Sequence, residues 1–270
     1  QTKLTLRDLT LIRAFIKFSS QTGINYSYNY IINILKSHPQ FICDLVQCFD
    51  YKFNPKQNNI EKSEEFIKLL ELYCADLEKV DEDIILRHIV SVLNAAVRTN
   101  YFQQNDTDST QPYKDYISIK FLSKKILNLP KPAPLYEIFV YSSEMEGVHL
   151  RGGKVARGGL RWSDRVEDFR YEILGLMKSQ MVKNSVIIPL GSKGGFIVKS
   201  FESAKNAGAT REELQALVIG SYKKFISALL DITDNLDDNR IIKPKNCICH
   251  DEDDPYLVVA ADKGTATFSD

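Results

Sequence analysis

Residues 147–199 read GVHLRGGKVARGGLRWSDRVEDFRYEILGLMKSQMVKNSVIIPLGSKGGFIVK, and this stretch decides the fold of the chain. It contains three glycine pairs with a lysine or arginine beside each, namely Gly152-Gly153, Gly158-Gly159 and Gly194-Gly195. Glycine lets a backbone turn sharply or approach a ligand closely, because it has no β-carbon. Basic side chains repeated beside such glycines predict a pocket for a carboxylate or phosphate group.

A helix is predicted between the second and third glycine pairs. Asp164 and Glu167 have the spacing of a capping box at its start. One face of the helix then carries residues at helical spacing: Phe169, Ile173, Leu176 and Gln180. Lys183 continues this face. Its amine either points into a site or lies in the last turn, where it complements the helix dipole.

The segment after the helix predicts a strand, a turn and a second extended segment. Residues 186–190 (VIIPL) favour a short buried strand, GSKGG favours a bend, and residues 196–199 (FIVK) are extended again. A phosphate-binding loop would lead from a strand into a helix with the pattern GxxxxGK[ST] or GxGxxG, and neither pattern is present. We therefore predict that Lys193 lies in a glycine-walled bend at a strand end and does not bind a nucleotide phosphate.

The bulk composition excludes several classes of protein. The 270 residues carry a formal net charge of zero and are 44% hydrophobic, so neither nucleic acid nor an anionic membrane is an expected partner. No apolar run has the length of a membrane span. Five cysteines make no disulfide framework and indicate the reducing cytoplasm. Cys247, Cys249 and His250 lack a second ligand pair at zinc spacing, so we predict no metal site.

The order of the elements predicts an α/β protein. A helical pattern runs from Leu4 to about Phe102, and His88 within it is expected to be a core histidine. The polar stretch 103–111 then marks a boundary. Strands are predicted at 116–121, 135–141 and 256–261, with a long helix that begins at the capping box of Thr210 and Glu213. We predict a helical region, residues 1–110, followed by an α/β substrate domain with a mixed sheet, residues 111–270.

Three motifs together resemble the substrate domain of the large bacterial NAD-dependent glutamate dehydrogenases. They are ARGGLRW (156–162), MVKNSVIIPLGSKGG (181–195) and VVAADKGT (258–265). The resemblance implies that Lys193 activates the attacking water and that Asp262 transfers protons. By itself, an aspartate before Lys263-Gly264 is equally typical of a turn.

The same resemblance implies a substrate site. Lys183 would hold the α-carboxylate, and Arg157 would hold the side-chain carboxylate, where the family usually has a lysine. The glycines implied to line the substrate site are Gly158, Gly159 and Gly194. Arginine keeps the positive charge and adds a bidentate fork.

The implied reaction is the NAD-dependent oxidative deamination of L-glutamate to 2-oxoglutarate and ammonia by a homo-oligomer. No strand-GxGxxG-helix unit occurs in the sequence, so the Rossmann domain and its NAD-binding residues are expected beyond residue 270. We read the chain as a piece of a longer enzyme that does not turn over substrate alone. Two alternatives stay open: a dehydrogenase of another amino acid, and a non-catalytic acid-binding or interaction module.

Overall fold

The computed structural model describes residues 4–105, 112–183, 190–238 and 240–262, with only the backbone for residues 181–183. Within these ranges the chain forms eight α-helices and nine β-strands. The helices are α1 (Leu6–Ser20), α2 (Tyr28–Ser37), α3 (Pro39–Phe53), α4 (Ile60–Ala75), α5 (Val80–Ala95), α6 (Phe169–Lys183), α7 (Phe201–Asn206) and α8 (Arg211–Leu230). The strands are β1 (Ala96–Thr99), β2 (Tyr116–Leu122), β3 (Tyr136–Ser142), β4 (Met145–Arg151), β5 (Ala156–Trp162), β6 (Leu190–Val198), β7 (Asn235–Asp237), β8 (Arg240–Ile242) and β9 (Val258–Ala261).

Seven of these strands form one mixed sheet in the order β1-β2-β3-β4-β6-β5-β9. The first four strands are antiparallel neighbours, and β6 is antiparallel to β4. Strand β5 lies between β6 and β9 and runs parallel to both. Strands β7 and β8 form a separate antiparallel pair. The predicted fold class, a helical region followed by an α/β part with a mixed sheet, is confirmed.

The helical region and the sheet share a hydrophobic core. Phe18 of α1 stacks on Phe121 of β2 with ring centroids 4.3 Å apart, and Phe139 of β3 lies 5.3 Å away. The prediction of helix as far as Phe102 is wrong at its end, because residues 96–99 continue from α5 as strand β1 and pair with β2. One strand from the first predicted domain thus belongs to the sheet, and the division at residue 110 stays a prediction.

His88 is a core histidine, as predicted. Its side chain is buried and its Nε2 lies 3.0 Å from the hydroxyl of Thr22. Burial lowers the pKa of His88 to about 4, since the charged imidazolium is poorly solvated there. The histidine is therefore neutral at physiological pH and joins α5 to the end of α1.

Helix α8 covers the opposite face of the sheet. The capping box of Thr210 and Glu213 opens it, as predicted, with the Glu213 amide 3.2 Å from the Thr210 hydroxyl. Phe225 of this helix packs so closely on β4 that a methyl group at Gly147 would lie 2.7 Å from its ring. Glycine at this position therefore lets the helix approach the strand.

Helix α6 packs on the face of the sheet that carries the helical region. Phe169 and Ile173 are fully buried there. The predicted start at Asp164 is wrong, since the helix begins at Phe169. Its first turn is held by a distant residue instead: Gln21 donates to the carbonyl of Glu167 at 2.7 Å and accepts from the Arg170 amide at 3.3 Å. A residue 149 positions away in sequence thus satisfies polar groups that a local cap was expected to satisfy.

A buried ion pair fastens α6 to β3. The Arg170 guanidinium donates to both oxygens of Glu137, at 2.8 Å from Nε and 2.6 Å from Nη2, and neither side chain is exposed to solvent. Two parallel hydrogen bonds of this kind fix the orientation of the guanidinium plane. The pair therefore determines where α6 lies across the sheet.

From its sequence, the acidic run at residues 251–254, which we call the acid segment, is expected to be a surface loop, and this holds only for the exposed residues Glu252 and Asp253. Three basic side chains project from the sheet with no more than 2% exposure, namely Arg98 of β1, Lys120 of β2 and Arg151 of β4. Asp251 pairs with Arg98 and Lys120 at 2.5 Å each, and Asp254 pairs with Lys120 and Arg151 at 2.6 Å each. The carboxylates of Asp251 and Asp254 turn inward because they neutralise these cations.

No helix among the residues that the structure describes combines the length and apolar character needed to cross a membrane.

We predict that Glu137→Gln lowers the free energy of unfolding by about 2–4 kcal/mol, because it leaves the buried Arg170 charge without a counter-ion. The matched control is Glu202→Gln, which removes the charge from an exposed pair with Lys205 at 3.8 Å. Such surface pairs contribute about 0–1 kcal/mol. Urea unfolding of both variants measures the difference, and equal losses would contradict a special role for the buried pair.

Candidate functional site

The parallel strands β6, β5 and β9 bring the sequence motifs together. Leu160 of β5 pairs with Gly194 of β6, which places Gly159 beside Lys193. On its other side Gly159 pairs with Ala260 of β9. Asp262 follows the end of β9, and its amide donates to the carbonyl of Leu160 at 2.7 Å. Residues far apart in sequence thus meet across three adjacent strands.

Lys193 and Asp262 form an ion pair at this point. The Lys193 Nζ lies 3.0 Å from each carboxylate oxygen of Asp262. The two side chains are 18% and 27% exposed, so the pair is partly shielded but open to a small molecule. The structure therefore joins the two residues for which the sequence predicts catalytic roles.

Gly159 makes this ion pair possible. A methyl group at Gly159 would lie 1.8 Å from Asp262 Oδ1, inside the carboxylate itself. The Asp262 carboxylate thus lies directly over Gly159, in the position from which it contacts Lys193. Among the glycines predicted to line the site, Gly159 is the one against which the Asp262 carboxylate packs.

The GSKGG segment is not a bend, contrary to the sequence prediction. It lies inside the continuous strand β6, which pairs with β4 on one side and β5 on the other. Gly191 and Gly195 lie beneath α6, where methyl groups would come within 3.1 Å of Gln180 and 2.3 Å of Ile173. These glycines therefore let the helix approach the strand. Lys193 lies between them in β6 and projects to the same side of the sheet.

Gly158 and Gly194 have other close neighbours. A methyl group at Gly158 would lie 1.5 Å from the backbone oxygen of Ser192, and one at Gly194 would lie 2.2 Å from Leu160 Cδ2. Since successive residues in a strand face opposite sides of the sheet, these two positions lie on the side away from Lys193 and Gly159. Their direct surroundings are packing contacts, and their part in substrate binding stays a prediction.

Two further predicted residues lie near the pair. Arg157 is exposed in β5, two residues before Gly159 and on the same side of the sheet. Its carbonyl accepts a hydrogen bond of 2.9 Å from Gln180, so the last turns of α6 are tied to β5 beside it. Lys183 ends α6, three residues after Gln180, and its side chain lies outside the described residues. The helical face inferred from the sequence contains Gln180, but its bond to β5 was not predicted.

The sequence shows Arg161 beside the second glycine pair but assigns it no role in the site, although it is the next cation on this side of β5. Its Nη1 lies 3.3 Å from Glu172 of α6, and the second oxygen of Glu172 accepts a 2.6 Å hydrogen bond from Ser163. The RGGLR pattern was the available signal, because residues 157, 159 and 161 share one face of a strand. Arg157 and Arg161 thus lie on the same side of the sheet as Gly159, and Glu172 neutralises the charge of Arg161.

The described residues offer neither a metal cluster nor a dinucleotide-phosphate loop. No group of three or more histidine, cysteine, aspartate or glutamate side chains among them is arranged to hold a metal ion. The glycines of β5 and β6 lie within strands, whereas a dinucleotide-phosphate loop leads from a strand into the N-terminus of a helix. The side chains of this site therefore suit carboxylate binding and proton transfer, whereas its glycines do not form a loop that could bind the phosphates of NAD.

Comparison with known proteins agrees with this geometry. Residues 70–270 match the family model described as bacterial NAD-glutamate dehydrogenase, catalytic domain, and residues 1–55 match glutamate dehydrogenase, helical motif 3. The chain is similar to the NAD-specific glutamate dehydrogenases of Pseudomonas aeruginosa (47% identical), Halomonas elongata (46%) and Mycobacterium tuberculosis (45%). Each alignment covers 99% of the chain and only 16–17% of the relative. The resemblance inferred from the three motifs is confirmed.

We predict that alanine changes the stability of the protein differently at each of three glycines. Gly158→Ala places a methyl group against a backbone oxygen that cannot move aside, so it lowers stability by at least about 3 kcal/mol. Gly159→Ala meets a side chain that can rotate, so it costs less stability but separates Asp262 from Lys193. Gly175→Ala, in α6 with open space around it, is the control and raises stability by roughly 0.5–1 kcal/mol.

Urea unfolding and a crystal structure of Gly159→Ala test this order. An intact Lys193–Asp262 contact in that variant would contradict the role given to Gly159.

Proposed function

Because this chain belongs to the family of bacterial NAD-glutamate dehydrogenase catalytic domains, we propose that the enzyme containing it oxidatively deaminates L-glutamate to 2-oxoglutarate and ammonia. The observation that carries this proposal is the Lys193–Asp262 pair, held across Gly159 on the arginine-bearing side of the sheet. In this proposal NAD is the hydride acceptor, bound by residues other than those described. That the enzyme is cytoplasmic and homo-oligomeric stays a prediction from the sequence.

Asp262 serves as the proton acceptor for the substrate nitrogen. A hydride leaves Cα only after the α-ammonium has lost a proton, and a carboxylate at the edge of the site is a suitable acceptor. The main-chain bond from Asp262 to Leu160 and the wall formed by Gly159 hold this carboxylate in one place. Its fixed position shortens the proton's path, which is the usual benefit of a preorganised base.

Lys193 directs the water that attacks the iminium carbon. An ammonium group has three donors, and two of them point to the oxygens of Asp262, which leaves the third for substrate or water. Lys193 first gives up a proton to solvent, and its free amine then accepts a proton from the attacking water. Asp262 returns its proton to the departing nitrogen and takes the proton of the new hydroxyl group, so that 2-oxoglutarate and ammonia leave.

Arg157 and Lys183 would bind the two carboxylates of glutamate. Each charge-assisted hydrogen bond contributes roughly 1.5–3 kcal/mol. The bond from Gln180 to the Arg157 carbonyl supports this arrangement, because it ties the strand that bears Arg157 to the helix that ends at Lys183. An exposed guanidinium on this side of the sheet favours an acidic substrate side chain over an apolar one.

We predict that Lys193→Ala and Asp262→Asn each lower kcat of the full-length enzyme by about 10²–10⁴-fold, the usual contribution of a positioned acid or base. The control is Lys205→Ala, which removes an exposed lysine paired with Glu202 at 3.8 Å and should leave kcat unchanged. NADH formation with L-glutamate measures all three. Full activity of Lys193→Ala would contradict the proposed mechanism and favour a non-catalytic module.

Arg157→Met should raise KM for L-glutamate by about 10- to 150-fold, the kinetic equivalent of one lost charged contact. Arg157→Lys keeps the charge and should restore most of the affinity. L-Leucine, assayed in parallel, is the comparison substrate, because it has no second carboxylate. A wild-type enzyme that prefers leucine, or an Arg157→Met variant with unchanged KM for glutamate, would contradict glutamate as the substrate.

A further inference from the structure

Cys247 and Cys249 form a close pair that the proposed reaction does not use. They lie in a segment held against β1, where the His250 amide donates to the Val97 carbonyl at 2.9 Å. Cys247 is 8% exposed and Cys249 is half-buried. The Cys249 thiol turns back toward its neighbour and donates to the Cys247 carbonyl oxygen at 3.7 Å. Both cysteines pack on the same hydrophobic cluster, so the two side chains share one side of the segment.

The surroundings of the pair lower the pKa of Cys249 below that of an ordinary cysteine. A hydrogen bond from the Cys247 thiol lowers the pKa of Cys249, and the positive charges of Arg98 and Lys243 lower it further, against the opposing effect of burial. The same hydrogen bond, together with burial, raises the pKa of Cys247. One thiol is thus prepared to attack while the other keeps its proton, a division of roles typical of reactive dithiols.

The other cysteines provide a contrast within the same chain. Burial raises the pKa of both Cys48 and Cys74 to about 11, so each is a protonated core thiol at neutral pH. Cys43 is half-buried on α3. Reaction with a disulfide requires a thiolate that solvent can reach, and Cys249 has a lowered pKa together with partial exposure.

A metal is a poorer explanation for the C-x-C-H pattern. The Nε2 of His250 lies 2.7 Å from the carbonyl oxygen of Lys52 and is engaged there. The carboxylates next in sequence, Asp251 and Asp254, are held by three buried cations. Two thiols alone do not complete the coordination of zinc.

We propose that Cys247 and Cys249 are a redox-active dithiol that a small-molecule disulfide of the glutathione type oxidises to an intrachain disulfide. The Cys249 thiolate attacks one sulfur of the oxidant, which forms a mixed disulfide and releases one thiolate. Cys247 then loses its proton and attacks the Cys249 sulfur, which releases the second thiolate. The enzyme dithiol loses two electrons and two protons, and the oxidant becomes two thiols.

Covalent geometry allows this closure. Two Cα atoms separated by one residue lie at most about 7.6 Å apart, and disulfides join Cα atoms about 4.4–6.8 Å apart. The Cys249 side chain already turns toward Cys247. Closure of so short a loop requires the backbone to adjust next to Asp251, the partner of Arg98 and Lys120.

The test treats the full-length enzyme with oxidised glutathione, alkylates the remaining free thiols and identifies each cysteine by peptide mass spectrometry. We expect a disulfide between Cys247 and Cys249, reversed by dithiothreitol and formed at least about tenfold faster than any modification of Cys48 or Cys74. In Cys247→Ser the reaction should stop at a mixed disulfide with glutathione on Cys249. In Cys249→Ser neither product should form at this segment.

Two results would overturn the proposal. One is a wild-type enzyme in which Cys247 and Cys249 are both still alkylated after oxidation. The other is preferential modification of Cys43 while the pair stays reduced. Both are measured on the wild-type protein, so the test holds even where a serine variant folds poorly.

Discussion

The contact between Lys193 and Asp262 depends on one missing side chain. Strand β5 lies between two parallel neighbours. The Asp262 carboxylate contacts Lys193 over the backbone of Gly159, where no side chain is in the way. Any β-carbon at that position would occupy the place of the carboxylate. The geometry of the proposed proton transfer therefore rests on strand register, because a shift by one residue would place Lys193 on the other side of the sheet.

Helix α6, which ends beside this site, is held in place at both ends. At its start, Gln21 holds the first turn and the buried pair of Arg170 and Glu137 attaches the helix to β3. Near its end, Gln180 is bonded to the carbonyl of Arg157. The helical region thereby takes part in placing the helix that ends at Lys183, and that is a physical reason for it to share a core with the sheet. Separation of the two parts would remove the Gln21 hydrogen bonds from the first turn of the helix.

The acid segment shows how charge and burial combine in this fold. Three cations of the sheet would be costly to bury alone, and the carboxylates of Asp251 and Asp254 neutralise them. The cysteine pair directly precedes this segment in the sequence, and the chain after it leads into β9 and Asp262. Its buried ion pairs thus anchor the strand that delivers Asp262.

The sequence by itself determined the α/β class, most of the strands and the opening of α8, and its motifs singled out Lys193 and Asp262, because periodicity, capping residues and motifs are local signals. It misplaced the start of α6, treated GSKGG as a bend and placed Asp251 and Asp254 on the surface. Those features depend on partners far away in sequence: Gln21 at the start of α6, β4 and β5 on either side of Lys193, and the cations of the sheet around Asp251. Only the tertiary structure decided them, since glycine in a strand and glycine in a turn look alike until the neighbouring strands are in place.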